Sequence, residues 1–404
     1  KYSRFSSVIN MGGKSSRELP MRQRPYSKIP KQFKDVECPY PSCSTFFGKY
    51  GAINYSLDGP QDAAEVLVTF HGLNASRTMF KQIGEAIGRN GTLVLSFDMY
   101  GHGRSNAPPV SIWCCKKWRC CPCGHPRARY DLDCFVDQAV ELLEGLNLGD
   151  RPLNLMGFSF GGLVAMRLAK RFPDRVIRLI LMSPGGILKN DGLKRQWRLG
   201  HLVWCCLIPI ANCFVWPCCY KKEKYALQMK GEDPEVIHQV WSRLVWSLFV
   251  KRGVAAASLG IMLRIDWFSD ERLYAEVGSH KRPVLLLWGE HDSFNSLDVA
   301  EKIKSYFCNR HLQIVKGAYH IVVSDNPQRV YDATYDFLKM PQDVDMNNIR
   351  VTEGERPRLL THRASDVVSK SQLPLSQQAV SRVEVHANMP APGIIGSTKS
   401  PKQP

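Results

Sequence analysis

Acidic side chains are missing from long parts of this chain. Residues 1–34 carry nine Lys/Arg and a single acid, Glu18. Residues 113–129 carry five Lys/Arg and no acid, and residues 187–224 carry seven Lys/Arg against Asp191 and Glu223. Together these segments hold slightly more positive charge than the net +17 of the 404 residues, so the rest of the chain is close to neutral. Three basic segments on a neutral body point to a polyanionic surface partner. Anionic lipid headgroups and nucleic acid both satisfy the charge; an ordinary solvated basic face is the plainer alternative.

Other absences narrow the reading further. The first thirty residues lack an apolar run as long as a secretory leader needs, so no signal peptide is expected. There is no internal repeat. Gly101-His102-Gly103 is too short for a dinucleotide fingerprint, which argues against a nucleotide. The fourteen cysteines do not form a disulfide framework. Eight of them are adjacent pairs, Cys114-Cys115, Cys120-Cys121, Cys205-Cys206 and Cys218-Cys219, and neighbours rarely bond without strain. Cys120, Cys121, Cys123 and His125 have metal-ligand chemistry but no standard finger spacing.

Cysteines beside basic and apolar residues suit S-palmitoylation, and Cys114, Cys115, Cys120 and Cys121 are the candidates; packing thiols are the alternative. Met11-Gly12-Gly13-Lys14-Ser15-Ser16 matches a myristoylation signal. If translation begins at Met11, Gly12 is an acceptor followed by a polybasic second signal, Arg17, Arg22, Arg24 and Lys28. Residues 199–220 are apolar and about as long as a membrane span, but His201, Pro209, Asn212 and Pro217 interrupt them. A segment dipping into a membrane interface is expected, with Trp204 and Trp216 at headgroup depth and Lys221-Lys222 beside phosphates; a true span and a buried helix are the alternatives. The expected partner is an anionic membrane surface at the cytoplasmic face, and nucleic acid is not expected.

Short apolar runs of strand length stand at 64–70, 92–97, 153–156, 176–182, 284–288 and 312–315. Helical spacing lies between them. Met79, Phe80, Ile83, Ala86 and Ile87 end at Asn90-Gly91, and further helices are read at 131–146, 297–307 and 327–338. The alternation predicts an α/β fold, a doubly wound, mostly parallel sheet, with a first strand or hairpin at 50–57. Residues 185–279 interrupt it and are read as a mainly helical cap, including a helix near 234–251. The expected division is a basic disordered segment over 1–49, core over 50–184 with a Cys-rich insertion at 106–129, cap over 185–279, core again over 280–340 and a disordered tail over 341–404.

Gly157-Phe158-Ser159-Phe160-Gly161 reads G-x-S-x-G between an apolar strand and a helix, the setting of a nucleophile elbow. A serine hydroxyl is a poor nucleophile until a base takes its proton. His320 stands just past the last strand, and Asp292, directly after the preceding one, would orient and stabilise the imidazolium. The strand before the cap ends in Ser183-Pro184, so no acid competes there; Glu290 and His291 are weaker candidates, and His102 is read as structural. A tetrahedral intermediate needs fixed N–H donors. The backbone of Phe160 and of Leu73, in the loop after 64–70, would supply them.

These motifs, with His71-Gly72 and Asp98-x-x-Gly101-x-Gly103-x-Ser105, resemble those of α/β-hydrolase fold serine hydrolases over residues 50–339. The chain is similar to the monoacylglycerol lipase and lipid hydrolase branches. The resemblance implies carboxylic esters or lipid acyl chains as substrates, a cap over the site, and no metal or organic cofactor. An acyltransferase or thioesterase on the same triad, or a non-catalytic ligand-binding relative, is the alternative. His320-x-x-x-x-Asp325 resembles an acyltransfer motif of some relatives, although Asp325 equally suits the start of the last helix. The 106–129 insertion and the cysteine-rich cap depart from the common pattern and leave the substrate open.

Overall fold

The computed structural model describes residues 31, 36–110, 127–188, 241–243 and 245–349. Its strands are β1 (Ser44–Gly48), β2 (Gly51–Asp58), β3 (Val66–Phe70), β4 (Leu93–Phe97), β5 (Leu153–Phe158), β6 (Val176–Met182), β7 (Val284–Gly289) and β8 (Arg310–Val315). They form one sheet in the order β1-β2-β4-β3-β5-β6-β7-β8. β1 and β2 make an antiparallel hairpin, and β2 pairs antiparallel with β4. Every pairing from there to β8 is parallel. Parallel neighbours require crossovers, which cover both faces of the sheet and make its strands apolar throughout.

The crossovers bring α1 (Lys81–Arg89), α2 (Leu132–Gly145), α3 (Phe160–Arg171), α4 (Val254–Arg264), α5 (Glu271–Gly278) and α6 (Leu297–Ser305), and α7 (Val322–Asp325) and α8 (Pro327–Lys339) follow β8. Successive strand residues face opposite ways. Val66, Val68 and Phe70 of β3 and Leu93, Leu95 and Phe97 of β4 therefore join one apolar cluster with α2–α6. Leu67, Val94, Met156, Ile180 and Leu285 join the other, with α1, α7 and α8. Each such side chain contributes about 1.5–3 kcal/mol when fully buried. The Asp131 carboxylate caps α2 by accepting the Cys134 N–H at 3.0 Å. Asn326, not Asp325, caps α8, accepting the Arg329 N–H at 3.1 Å, with Pro327 at the first helical position.

Several boundaries differ from the expectation. The segment 1–49, expected to be disordered, contains β1, and Tyr40 is buried with its ring 5.5 Å from Trp246. Residues 341–349, expected to belong to a disordered tail, pack on the core: a turn of 3-10 helix at Met346–Asn348 buries Met346 in the second cluster. The insertion expected over 106–129 is narrower, because Val110 and Ala128 form a β-bridge and the buried Tyr130 hydroxyl donates to the Pro108 carbonyl at 2.8 Å. Within the stretch read as cap, α5 contributes Leu273, Tyr274 and Val277 to the same cluster as α3. Gly12, Cys114, Cys115, Cys120, Cys121 and residues 199–220 lie outside the described residues. Among the described residues no helix is long and apolar enough to cross a membrane.

Candidate active site

β5 delivers the chain to a sharp turn. Ser159 takes φ 49° and ψ −113°, and α3 begins at the next residue. Such a conformation costs a non-glycine residue about 1–3 kcal/mol unless its surroundings impose it. Here they do. The Ser159 N–H donates to the Met182 carbonyl at 2.9 Å, and the Ser159 carbonyl accepts from Gly162 at 3.0 Å and Gly185 at 3.1 Å. A Cβ on Gly157 would lie 2.5 Å from the Gly161 carbonyl oxygen, and one on Gly161 would strike the Phe70 carbonyl. The two glycines let the elbow close on itself and press against the end of β3.

Asp292 and His320 reach the elbow from the ends of β7 and β8. His320 Nδ1 lies 2.8 Å from Asp292 Oδ2, and its Nε2 lies 3.3 Å from Ser159 Oγ. The Asp292 side chain is fully buried, and its Oδ1 accepts the N–H groups of Phe294 at 3.0 Å and Asn295 at 2.8 Å. An acceptor-only carboxylate facing Nδ1 places the ring proton there. Nε2 then turns its lone pair to the serine hydroxyl. The rings of Phe158 and Phe294 flank the imidazole at 5.2 and 5.1 Å. Glu290 is engaged elsewhere, accepting the Gly317 N–H at 2.8 Å, and the His291 ring lies 5.6 Å from Tyr319. Asp325 holds the base loop, accepting the Tyr319 N–H at 2.8 Å.

Phe70 pairs with Gly157 across β3 and β5, so the loops carrying Leu73 and Phe160 emerge side by side. The Phe160 N–H opens α3, where the first backbone donors have no helical acceptor. Among the described residues neither it nor the Leu73 N–H meets a protein acceptor. A serine hydroxyl, an imidazole and a carboxylate stand in a hydrogen-bonded line here, next to loops with two N–H groups that meet no protein acceptor among the described residues; these are the kinds of group that acyl transfer uses. The Phe294 and Asn295 N–H groups that hold Asp292 were not foreseen; backbone donors leave no mark in a sequence. A groove of about 620 Å³ at the amino ends of β6, β7 and β8, bordered by Asp174, His280, Lys281 and Cys308, holds none of these residues.

A buried polar layer lies behind the Leu73 loop. His71 Nε2 accepts the Met99 N–H at 3.0 Å, and its Nδ1 lies 2.8 Å from the Gly72 carbonyl. Burial pushes its pKa below the ordinary imidazole value, and that of His102 well below. The Asp98 carboxylate bridges two turns, accepting from the Arg77 and Arg104 N–H groups, each at 2.8 Å.

Comparison with known proteins gives a consistent picture. Residues 65–200 match a family model described as the alpha/beta hydrolase fold. The chain is 24% identical over 300 residues to monoacylglycerol lipase ABHD6 of Bos taurus, covering 72% of this chain and 80% of that one. It is also 24% identical over 319 residues to an uncharacterized protein of Mycobacterium tuberculosis, covering 76% and 83%. Among solved structures it superimposes on a thermophilic esterase from Thermogutta terrifontis with a TM-score of 0.54 at 22% identity, covering 73% of this chain and 97% of the esterase.

Proposed function

From an α/β-hydrolase fold with esterase and lipase relatives, we propose that the chain is a serine hydrolase of carboxylic esters. Its substrates are lipid acyl esters of the monoacylglycerol or lysolipid type, and the reaction runs through an acyl-enzyme on Ser159. The hydrogen-bonded line from Asp292 through His320 to Ser159 carries this reading. His320 Nε2 removes the hydroxyl proton as Ser159 Oγ attacks the ester carbonyl. The oxyanion of the tetrahedral intermediate is met by the Leu73 and Phe160 N–H groups, each such donor contributing about 2.7–4 kcal/mol to the transition state. His320 returns the proton to the departing alcohol, and water repeats the sequence to release the acid. A fluorophosphonate probe should label the native chain and not Ser159→Ala. A native chain that resists labelling would remove the serine mechanism, and a panel of lipid esters would then rank acyl length and headgroup.

The same reading places the protein on an anionic membrane surface. The basic segments support it, as do the exposed Phe294, Tyr319 and Ile321 around His320. Removing residues 111–126, which carry Lys116, Lys117 and Arg119, should weaken cosedimentation with anionic liposomes. Unchanged binding would count against membrane docking and leave the ester chemistry standing.

A further inference from the structure

We infer that Lys251 is a positioning residue for the oxyanion loop. It ends the π-helical turn Trp246–Val250 and is almost entirely buried. Its Nζ donates to two successive carbonyls of the loop after β4, those of His102 at 2.8 Å and Gly103 at 2.7 Å. Buried carbonyls without a strand partner require donors, and the one amino group, charged or neutral, has the N–H bonds to satisfy both. The turn they belong to has little slack. Gly103 sits at φ 42° with its Cα hydrogens against the Asp98 carboxylate, and the Gly101 N–H is bound to the Asn106 carbonyl.

From that turn the contact passes to the site in two steps. The His102 ring meets the His71 ring edge-on at 4.9 Å, and the Met99 N–H of the same turn donates to His71 Nε2. That bond leaves the His71 proton on Nδ1, where it is donated to the Gly72 carbonyl. The Gly72 carbonyl and the Leu73 N–H share one planar trans peptide, so fixing the direction of the first fixes the direction of the second. Lys251 thus acts through the turn and His71 on the aim of an oxyanion donor. When protonated it also disfavours a charge on His71, which must stay neutral to accept from Met99. The titratable groups acting on Lys251 are Asp98 and Cys38; it in turn acts on His71 and His102.

This inference rests on the ester-hydrolase reading, but its failure is separable. Lys251→Met keeps the aliphatic stem and removes the donors. With a soluble short-chain ester, kcat should fall about tenfold or more, since misplacing a transition-state donor acts on the chemical step, while KM changes by no more than about twofold. The rate of fluorophosphonate labelling should fall in parallel. Lys251→Gln, able to serve one carbonyl, should lie between Met and the native chain. A folded Met variant with native kcat, or one losing kcat and KM together with its melting temperature, would overturn the assignment. If Lys251→Met does not fold, native kcat in Lys251→Gln overturns it. A native chain that never labels would instead sink the hydrolase reading.

The melting temperature supplies an arm that bare packing would not move. Burial pushes the Lys251 pKa from 10.5 down to about 7. Between those values the folded lysine is neutral while the unfolded one is charged, so the unfolded chain binds more protons and stability rises with pH. Below pH 7 both are charged and the burial penalty is constant. The native chain should therefore gain melting temperature relative to Lys251→Met, or to Lys251→Gln, as pH rises from 7 towards 10.5. A pH-independent difference would deny that Lys251 titrates as a buried amine and count against the assignment.

Discussion

Asp292→Asn should lower kcat by about four orders of magnitude while leaving the melting temperature within a few degrees of native. The reason lies in which way an amide can face. Asp292 Oδ1 accepts two backbone N–H groups, from Phe294 and Asn295, and Oδ2 faces His320 Nδ1. An asparagine must keep its oxygen towards the two N–H donors, because its NH2 cannot accept them. Its NH2 then points at His320 Nδ1, which is compelled to accept. The ring proton moves to Nε2 and faces the Ser159 hydroxyl, so the base has no lone pair where the proton must go. The lost carboxylate charge also ceases to stabilise the imidazolium formed in the transition state. Steady-state kinetics with a soluble ester measure the loss, and labelling should slow with it. A variant within about tenfold of native kcat would show that His320 does not depend on this tautomer.

The parts of this site that were legible beforehand share one property: they are side chains in a required order along parallel strands. Ser159, Asp292 and His320 follow strand ends, and β3 to β7 are apolar runs because both of their faces are buried. β1 was hidden because it is a five-residue edge strand with no fully buried residue, flanked by Cys, Pro and Gly. Residues 341–349 read as polar tail because their anchors are scattered: Val344 and Ile349 are partly buried and Met346 fully, against a cluster built from distant strands. Lys251 gave no signal at all. A lysine at the end of a helical pattern is ordinarily solvated, and only the tertiary placement of the β4 turn over it supplies the two carbonyls. The core packing of α5, inside the stretch read as cap, was hidden for a related reason. α5 stands far from α3 in sequence yet packs beside it, a proximity that no local pattern announces.

Gly161→Ala tests the other half of the elbow, the close approach that puts nucleophile and oxyanion loop together. The added methyl would point into the main chain at the end of β3, against the Phe70 and His71 carbonyl oxygens. Neither is a flexible side chain that can swing aside. Phe70 is locked by its pairing with Gly157, and His71 by its bonds to Met99 and Gly72. Relief requires α3 to retreat from β3, which opens the turn holding Ser159 and carries the Phe160 N–H away from that of Leu73. Overpacking against backbone of this kind costs about 3 kcal/mol, a fall in melting temperature of about 6–12 °C for a domain of this size. Displacing the donors by about 1 Å should remove a further factor of about 100 from kcat in the fraction that folds. Gly149→Ala is the control, since a methyl there meets only Glu144 at 3.8 Å, and it should stay within about 0.5 kcal/mol of native. If Gly161→Ala melted and turned over like Gly149→Ala, the contact between elbow and β3 would not be what holds the oxyanion donors in place.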